Sequence, residues 1–267
     1  MRAFRLAYDG TGYRGFQRQP HGDTVENALL EALTALGVSR AGTPPGYAAA
    51  GRTDAGVSAR AQTVAFEAPE WLRPRALNAE LPADVGAWAW ADVPDAFHAT
   101  HDAIERAYRY YLYAPDADDG LAALACRRLS GRHDFRDLTP DDSGTVRELS
   151  ASVRRDGPFL VVTARAGGFP RQFVRRFVSV LEAVARKRRP SEFLDRILDD
   201  EPLEGPEGIP AAAPEPLVLL DVEYPAVSFS PDERAVERVR GVFDARRRHR
   251  LAGARVAGVL SGAGSDV

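Results

Sequence analysis

The chain has almost no cysteine and almost no lysine. Its 267 residues hold a single Cys, Cys126, which leaves no internal disulfide to form and no thiolate cluster to bind a metal. Histidine does not fill that gap. His21, His98, His101, His133 and His249 show neither H-x-H nor H-x-x-x-H spacing, and His98 reads as a structural residue rather than a zinc ligand. No run of about 18 apolar residues occurs, so no segment is expected to span a membrane. The opening MRAFRLAYDG alternates in polarity and lacks the unbroken apolar stretch of a signal peptide, so a cytoplasmic protein is expected. Gly-x-Gly-x-x-Gly and Walker loops, which cradle nucleotide phosphates, are missing as well.

Of 35 basic residues only Lys187 is a lysine. A GC-rich genome is the plain account, a saline cytoplasm the weaker one. The 45% of hydrophobic residues suffices for a real core, in one large domain or two half-sized ones. A net charge of −3 argues at first against an anionic partner, yet the charge is segregated. Between Arg234 and Arg255 lie eight Arg and two acids, Glu237 and Asp244; Glu192 to Glu207 holds seven acids and one Arg, Arg196. Such segregation can build a local positive face on an acidic protein.

Periodicity supplies the coarse architecture. Residues 2–8 alternate as a strand with Phe4, Leu6 and Tyr8 on one face. A Gly-rich loop from Asp9 to His21 leads to a helix expected to start at Asp23, with Glu26 as its capping-box partner and Gly37 as its end. Strands are expected over 62–67, within 84–98, over 106–113, as a hairpin of 149–155 and 159–166 around Asp156-Gly157, and over 217–224. A long helix is expected over about 170–188, its apolar side running through Phe173, Val174, Phe177, Val180, Leu181 and Val184. Arg171 and Arg175 fall one turn apart, off that stripe, where both can face a cleft. Without strict βαβ alternation the mixture predicts an α+β fold with mainly antiparallel pairing. The expected organisation is an N-terminal half (1–101), a C-terminal half (102–225), and a basic tail (226–267) that fades into a frayed Gly/Ala/Ser-rich end.

The segment Ala50-Gly51-Arg52-Thr53-Asp54-Ala55-Gly56-Val57 places a carboxylate between two turn-forming glycines. Alone it reads as an ordinary Asx turn. It stands, however, within an ordered series: Tyr8-Asp9-Gly10, Tyr13, Gly15-Phe16-Gln17-Arg18-Gln19, then Phe97-His98-Ala99, Arg106 with Tyr108-Arg109-Tyr110, His133-Asp134-Phe135, and Phe173-Val174-Arg175. From Phe4 to about Tyr224 this series resembles the tRNA pseudouridine synthase A family, whose hallmark is the GRTDAGV segment. Two departures stand out. Many relatives carry a His before a Met-Val-Arg triplet where this chain has Arg171-Gln172-Phe173, and residues 114–130 are short for the family.

The resemblance implies a pseudouridine synthase fold, two related halves meeting at a basic cleft. It implies a cofactor-free isomerase and a homodimer, with tRNA reaching across both subunits and uridines 38, 39 and 40 of the anticodon stem-loop as substrates. Asp54 is then the nucleophile, attacking either ribose C1′ or uracil C6, with Arg175 as its counter-ion and Tyr108 as the active-site tyrosine. A tyrosine ring can stack on a flipped base for about 1–3 kcal/mol, whereas Tyr110 and Tyr111 are assigned to core packing. Arg52 is the candidate to fill the space a flipped uridine leaves or to hold the phosphate, and Arg14, Gln17, Arg18 and Arg171 are candidates for RNA contacts. The alternatives are a non-catalytic RNA-binding protein on the same fold, a nucleobase glycosylase, and a synthase acting at another RNA site.

Overall fold

In strand β1 (Arg2–Tyr8), Phe4, Leu6 and Tyr8 are buried on one side and Ala3 and Ala7 on the other. A strand covered on both faces belongs in the interior of a sheet. The structure, a computed structural model, describes all residues except 21, 41, 200, 202, 204–207 and 263–267. Expectations for His21 and the last five residues lie outside the described residues. The other strands are β2 (Ala48–Ala49), β3 (Ser58–Phe66), β4 (Val85–Asp92), β5 (Glu105–Tyr113), β6 (Gly131–Asp134), β7 (Val146–Asp156), β8 (Phe159–Ala166), β9 (Leu217–Glu223) and β10 (Ser230–Pro231). They form one sheet in the order β10-β4-β1-β3-β9-β5-β8-β7-β6, with β2 pairing β3. Every pairing is antiparallel except β3 with β9, in agreement with the expected α+β class.

The parallel pair matters most. Ala59 of β3 lies opposite Leu219 of β9, and Leu219 lies opposite Tyr108 of β5. At about 4.8 Å per strand spacing, this register sets the start of β3 about 10 Å from Tyr108. One apolar cluster gathers around β1, β3 and β4, a second around β5 and β8, and Tyr108 packs against both.

Helices α1 (Val25–Ala35), α2 (Pro74–Glu80), α3 (Asp119–Leu129), α4 (Phe173–Ala185), α5 (Phe193–Leu198) and α6 (Glu233–Leu260) complete the described elements. Two helix starts differ from expectation. Asp23 takes φ +58°, so the N-cap of α1 is Thr24, whose hydroxyl accepts from Asn27 N at 3.2 Å. Glu26 instead accepts the backbone N–H of Arg18 at 2.6 Å. Helix α4 begins three residues late, behind Pro170 and behind Gln172 at φ +60°, so Arg171 precedes the helix and does not share a face with Arg175.

Residues 114–130, to which no element was assigned, contain α3, capped by Asp118 through Leu121 N at 3.0 Å. Two further corrections have simple causes. The expected tail instead contains the 28-residue α6. Tyr111, assigned to the core, is 41% exposed: it points to the side of β5 away from the buried Tyr110 and Leu112, a side alternation alone cannot tell from a covered one. None of the described helices is long and apolar enough to cross a membrane.

The apolar face of α4 is fully used, with Phe177 at 0% exposure and stacked on Phe173. Phe177→Ala is expected to lower unfolding free energy by about 3–5 kcal/mol; urea denaturation of both proteins checks this.

Candidate active site

The turn carrying Asp54 is held by its backbone. Ala50 N donates to Thr63 O at 2.8 Å, and the Gln62 amide donates to the Gly51 carbonyl at 2.8 Å. Buried Thr53 shares a 2.8 Å hydrogen bond with the Tyr8 hydroxyl, and its carbonyl accepts from Phe16 N at 3.0 Å. Val57 N closes the turn onto Asp54 O at 3.1 Å, and Gly56 N donates to Tyr13 O at 3.1 Å. Gly15 sits at φ +100°, where a Cβ would come within 2.8 Å of Thr53 O, so only glycine fits. The turn is thus fixed from both flanks by hydrogen bonds that do not use the Asp54 side chain.

Arg106 fixes the strand before that turn. Its guanidinium donates to four carbonyls: Ala50 (2.7 Å), Thr100 (2.6 Å), Ala103 (3.2 Å) and Gly167. It thereby binds the 97–103 and 167 connections to the Asp54 loop. Tyr8, Tyr13, Thr53 and Arg106 therefore position the site, a role the sequence reading had not assigned. Their presence in the ordered motif series was the available signal.

The reactive geometry spans the two clusters. Asp54 Oδ2 accepts from Arg175 Nη1 at 3.0 Å, across 121 residues of sequence. The Asp54 side chain is 30% exposed and that of Arg175 15%, so the pair is shielded yet reachable. Arg175 is braced by its Nε, which donates to Ala212 O at 2.6 Å. Asp54 Oδ1 accepts no hydrogen bond from a described residue, which leaves one carboxylate oxygen available. Tyr108 stands beside the pair, partly buried, its ring edge-on to Phe169 at 5.2 Å. Burial pushes its phenol up to about 12; Arg106 opposes that shift and the Asp54 carboxylate adds to it.

The other candidates separate into groups. Arg52, Arg14, Gln17 and Arg18 are exposed, and the side chains of Arg52, Arg14 and Gln17 form no hydrogen bond or ion pair with a described residue. Arg14 and Gln17 flank the Gly15–Phe16 segment that abuts the Asp54 turn. Arg171 is elsewhere, ion-paired with Asp141 at 3.2 Å. His98 and His101 approach to 4.2 Å between ring centroids, and His98 Nδ1 accepts from Thr100 N at 3.2 Å. Among the described residues no three His, Cys, Asp or Glu side chains are placed to hold a metal ion.

Two measurements follow from this geometry. Arg106→Met strands buried carbonyls at about 1–3 kcal/mol each, so its urea midpoint is expected to fall sharply. Ultraviolet titration of the wild type against Tyr108→Phe is expected to show one phenol ionising near pH 12 rather than near the ordinary 10.0. Because the folded value is raised, that phenol's share of stability is intact below pH 10 and lost as pH rises toward 12.

Comparison with known proteins bears directly on this arrangement. Residues 125–225 match a family model described as tRNA pseudouridine synthase. A protein named tRNA pseudouridine synthase A from Natronomonas pharaonis is 70% identical over 264 residues, covering 98% of this chain and 99% of its own length. Proteins of the same name from Haloarcula marismortui and Archaeoglobus fulgidus are 58% and 36% identical, over 96% and 91% of this chain and 98% and 91% of their own lengths.

Proposed function

The chain belongs to the tRNA pseudouridine synthase A family, and on that premise we propose that it isomerises uridines of the tRNA anticodon stem-loop, at positions 38, 39 and 40, with Asp54 as nucleophile. The observation that carries the proposal is the Asp54–Arg175 pair at 3.0 Å with Tyr108 beside it. The target uridine leaves its stack at a cost of a few kcal/mol, and Arg52 occupies the vacated space. Asp54 then attacks ribose C1′ or uracil C6. The bond from C1′ to N1 breaks, the base turns within the pocket and a bond from C1′ to C5 forms; the bond to Asp54 is released, C5 gives up its proton and N1 takes one up. Atoms and oxidation state balance without an added reagent.

Each remaining side chain has a task suited to its setting. Arg175 supplies the fixed positive charge that a nucleophilic carboxylate needs in a shielded site. Tyr108 offers its ring to the flipped base, and its phenol stays protonated at neutral pH. Arg14, Gln17, Arg18 and Arg171 contact the RNA backbone, Arg171 by exchanging Asp141 for phosphate. In this reading 1–101 and 102–225 are the two related halves, and the cleft between them receives the RNA in the cytoplasm. The enzyme works as a homodimer; exposed Tyr111, Tyr113 and Phe159 on one sheet face support a self-contact. Light scattering should then report twice 29.0 kDa.

Turnover on unmodified tRNA tests the reading. Asp54→Asn is expected to fall to background while tRNA affinity stays within about twofold, and Arg175→Ala to lose about 10²–10³ in kcat. Full activity in Asp54→Asn removes the nucleophile assignment. Removing Arg14 and Arg18 together should reduce the slope of log affinity against log salt by about 1–2.

A further inference from the structure

Helix α6 is long but poorly buried. Among its residues only Ala235 is fully covered, and Val239 fills a notch at Gly86, where a Cβ would come within 2.5 Å of its Cγ2. Farther along, charge holds the helix down. Arg246 Nη1 and Arg250 Nη2 both donate to Asp9 Oδ2, at 2.7 and 2.6 Å, and the Asp9 side chain is 3% exposed. Asp9 Oδ1 takes the Thr11 hydroxyl at 2.8 Å. Burial alone would raise the Asp9 carboxyl; the Thr11 and Arg246 hydrogen bonds outweigh it and hold the group below its usual range. Arg246 also lies 3.6 Å from Asp84, which accepts the Tyr13 hydroxyl at 2.8 Å. Arg247 and Arg248 differ: among the described residues each pairs with Asp244 on the helix itself, at 3.4 and 3.5 Å.

Both acids reached by α6 connect directly to the nucleophile turn. Asp9 precedes Gly10, which packs so closely on Val57 O that a Cβ would overlap it, and whose N–H donates to Ser58 Oγ at 3.0 Å. Asp84 grips Tyr13, whose carbonyl holds Gly56 N at 3.1 Å. We propose that Arg246 and Arg250 are positioning residues for the isomerisation, and that α6 clamps, through Asp9 and Asp84, the two segments against which residues 53–58 rest. This inference rests on the proposed role of Asp54. A basic helix that looks built for RNA thus spends two of its arginines inward, on the loop that aims the nucleophile. Misplacement of a reacting group by about 1 Å costs about 10²-fold in rate, so a clamp remote from the chemistry can govern kcat.

The test compares wild type, Arg246→Ala/Arg250→Ala, Arg246→Lys/Arg250→Lys, and Arg247→Ala/Arg248→Ala as the matched loss of charge. Amide hydrogen exchange is read at residues 53–58, and kcat and KM are measured on unmodified tRNA. The inward double alanine variant is expected to exchange at least about tenfold faster at 53–58 and to lose about 10–100-fold in kcat, with KM within about twofold. The lysine pair should recover most of the kcat, and the outward pair should leave exchange at 53–58 unchanged. Raised KM with unchanged kcat and unchanged exchange would make Arg246 and Arg250 phosphate ligands and overturn the proposal. If the double variant fails to fold, Arg250→Ala alone must shift exchange in the same direction, and no shift overturns the clamp. If the wild type forms no pseudouridine, the proposed function fails by itself, and exchange at 53–58 still decides the clamp.

Discussion

A carboxylate on a surface turn can act as a nucleophile only if the turn does not wander, and here the restraint is the backbone hydrogen bonding around Thr53 and Gly56. Thr53 is held from β1 through the Tyr8 hydroxyl and from the neighbouring loop through Phe16 N, while Gly56 is held by Tyr13. Because none of these anchors uses the Asp54 side chain, that side chain remains available for a partner. That partner, Arg175, comes from a helix 121 residues away and is braced in turn by Ala212. The site thus joins two hydrophobic clusters rather than growing from either, and the register of β3, β9 and β5 keeps the two in step.

The ordered motif series acquires a physical explanation from this arrangement. Tyr8-Asp9-Gly10 and the Gly15-Phe16 segment lie far from Asp54 in sequence, yet they form the bed on which its turn lies. Glycine at 10 and 15 is dictated by backbone approaching backbone, where any Cβ would overlap a carbonyl. Arg106 belongs to the same frame, because one guanidinium satisfying four carbonyls fastens three connections at once. Burying such a cation is costly unless its donors are met, and here most of them are.

The sequence was legible wherever periodicity and burial coincide. Strand β1, the β7–β8 hairpin and the apolar stripe of α4 stand close to where alternation and helical spacing put them. It was less legible where local backbone conformation decides. The left-handed residues Asp23 and Gln172 delayed two helices, and the second delay took Arg171 away from Arg175 and onto Asp141. Helix α3 was not singled out, although Asp118 caps it and Ala122, Ala125, Cys126 and Leu129 form its buried side. Helix α6 was hidden because its arginines resemble a solvated tail, although two of them meet a buried carboxylate. Neither partnership has a local signature, since each depends on a residue at least 30 positions away.

The account stands or falls on whether Asp54 makes pseudouridine. Site-resolved mapping of an unmodified tRNA, incubated with wild-type protein and separately with Asp54→Ala, measures this directly. The account predicts pseudouridine in the anticodon stem-loop with the wild type and none with the variant. Equal modification by both proteins, or none by either, would contradict it.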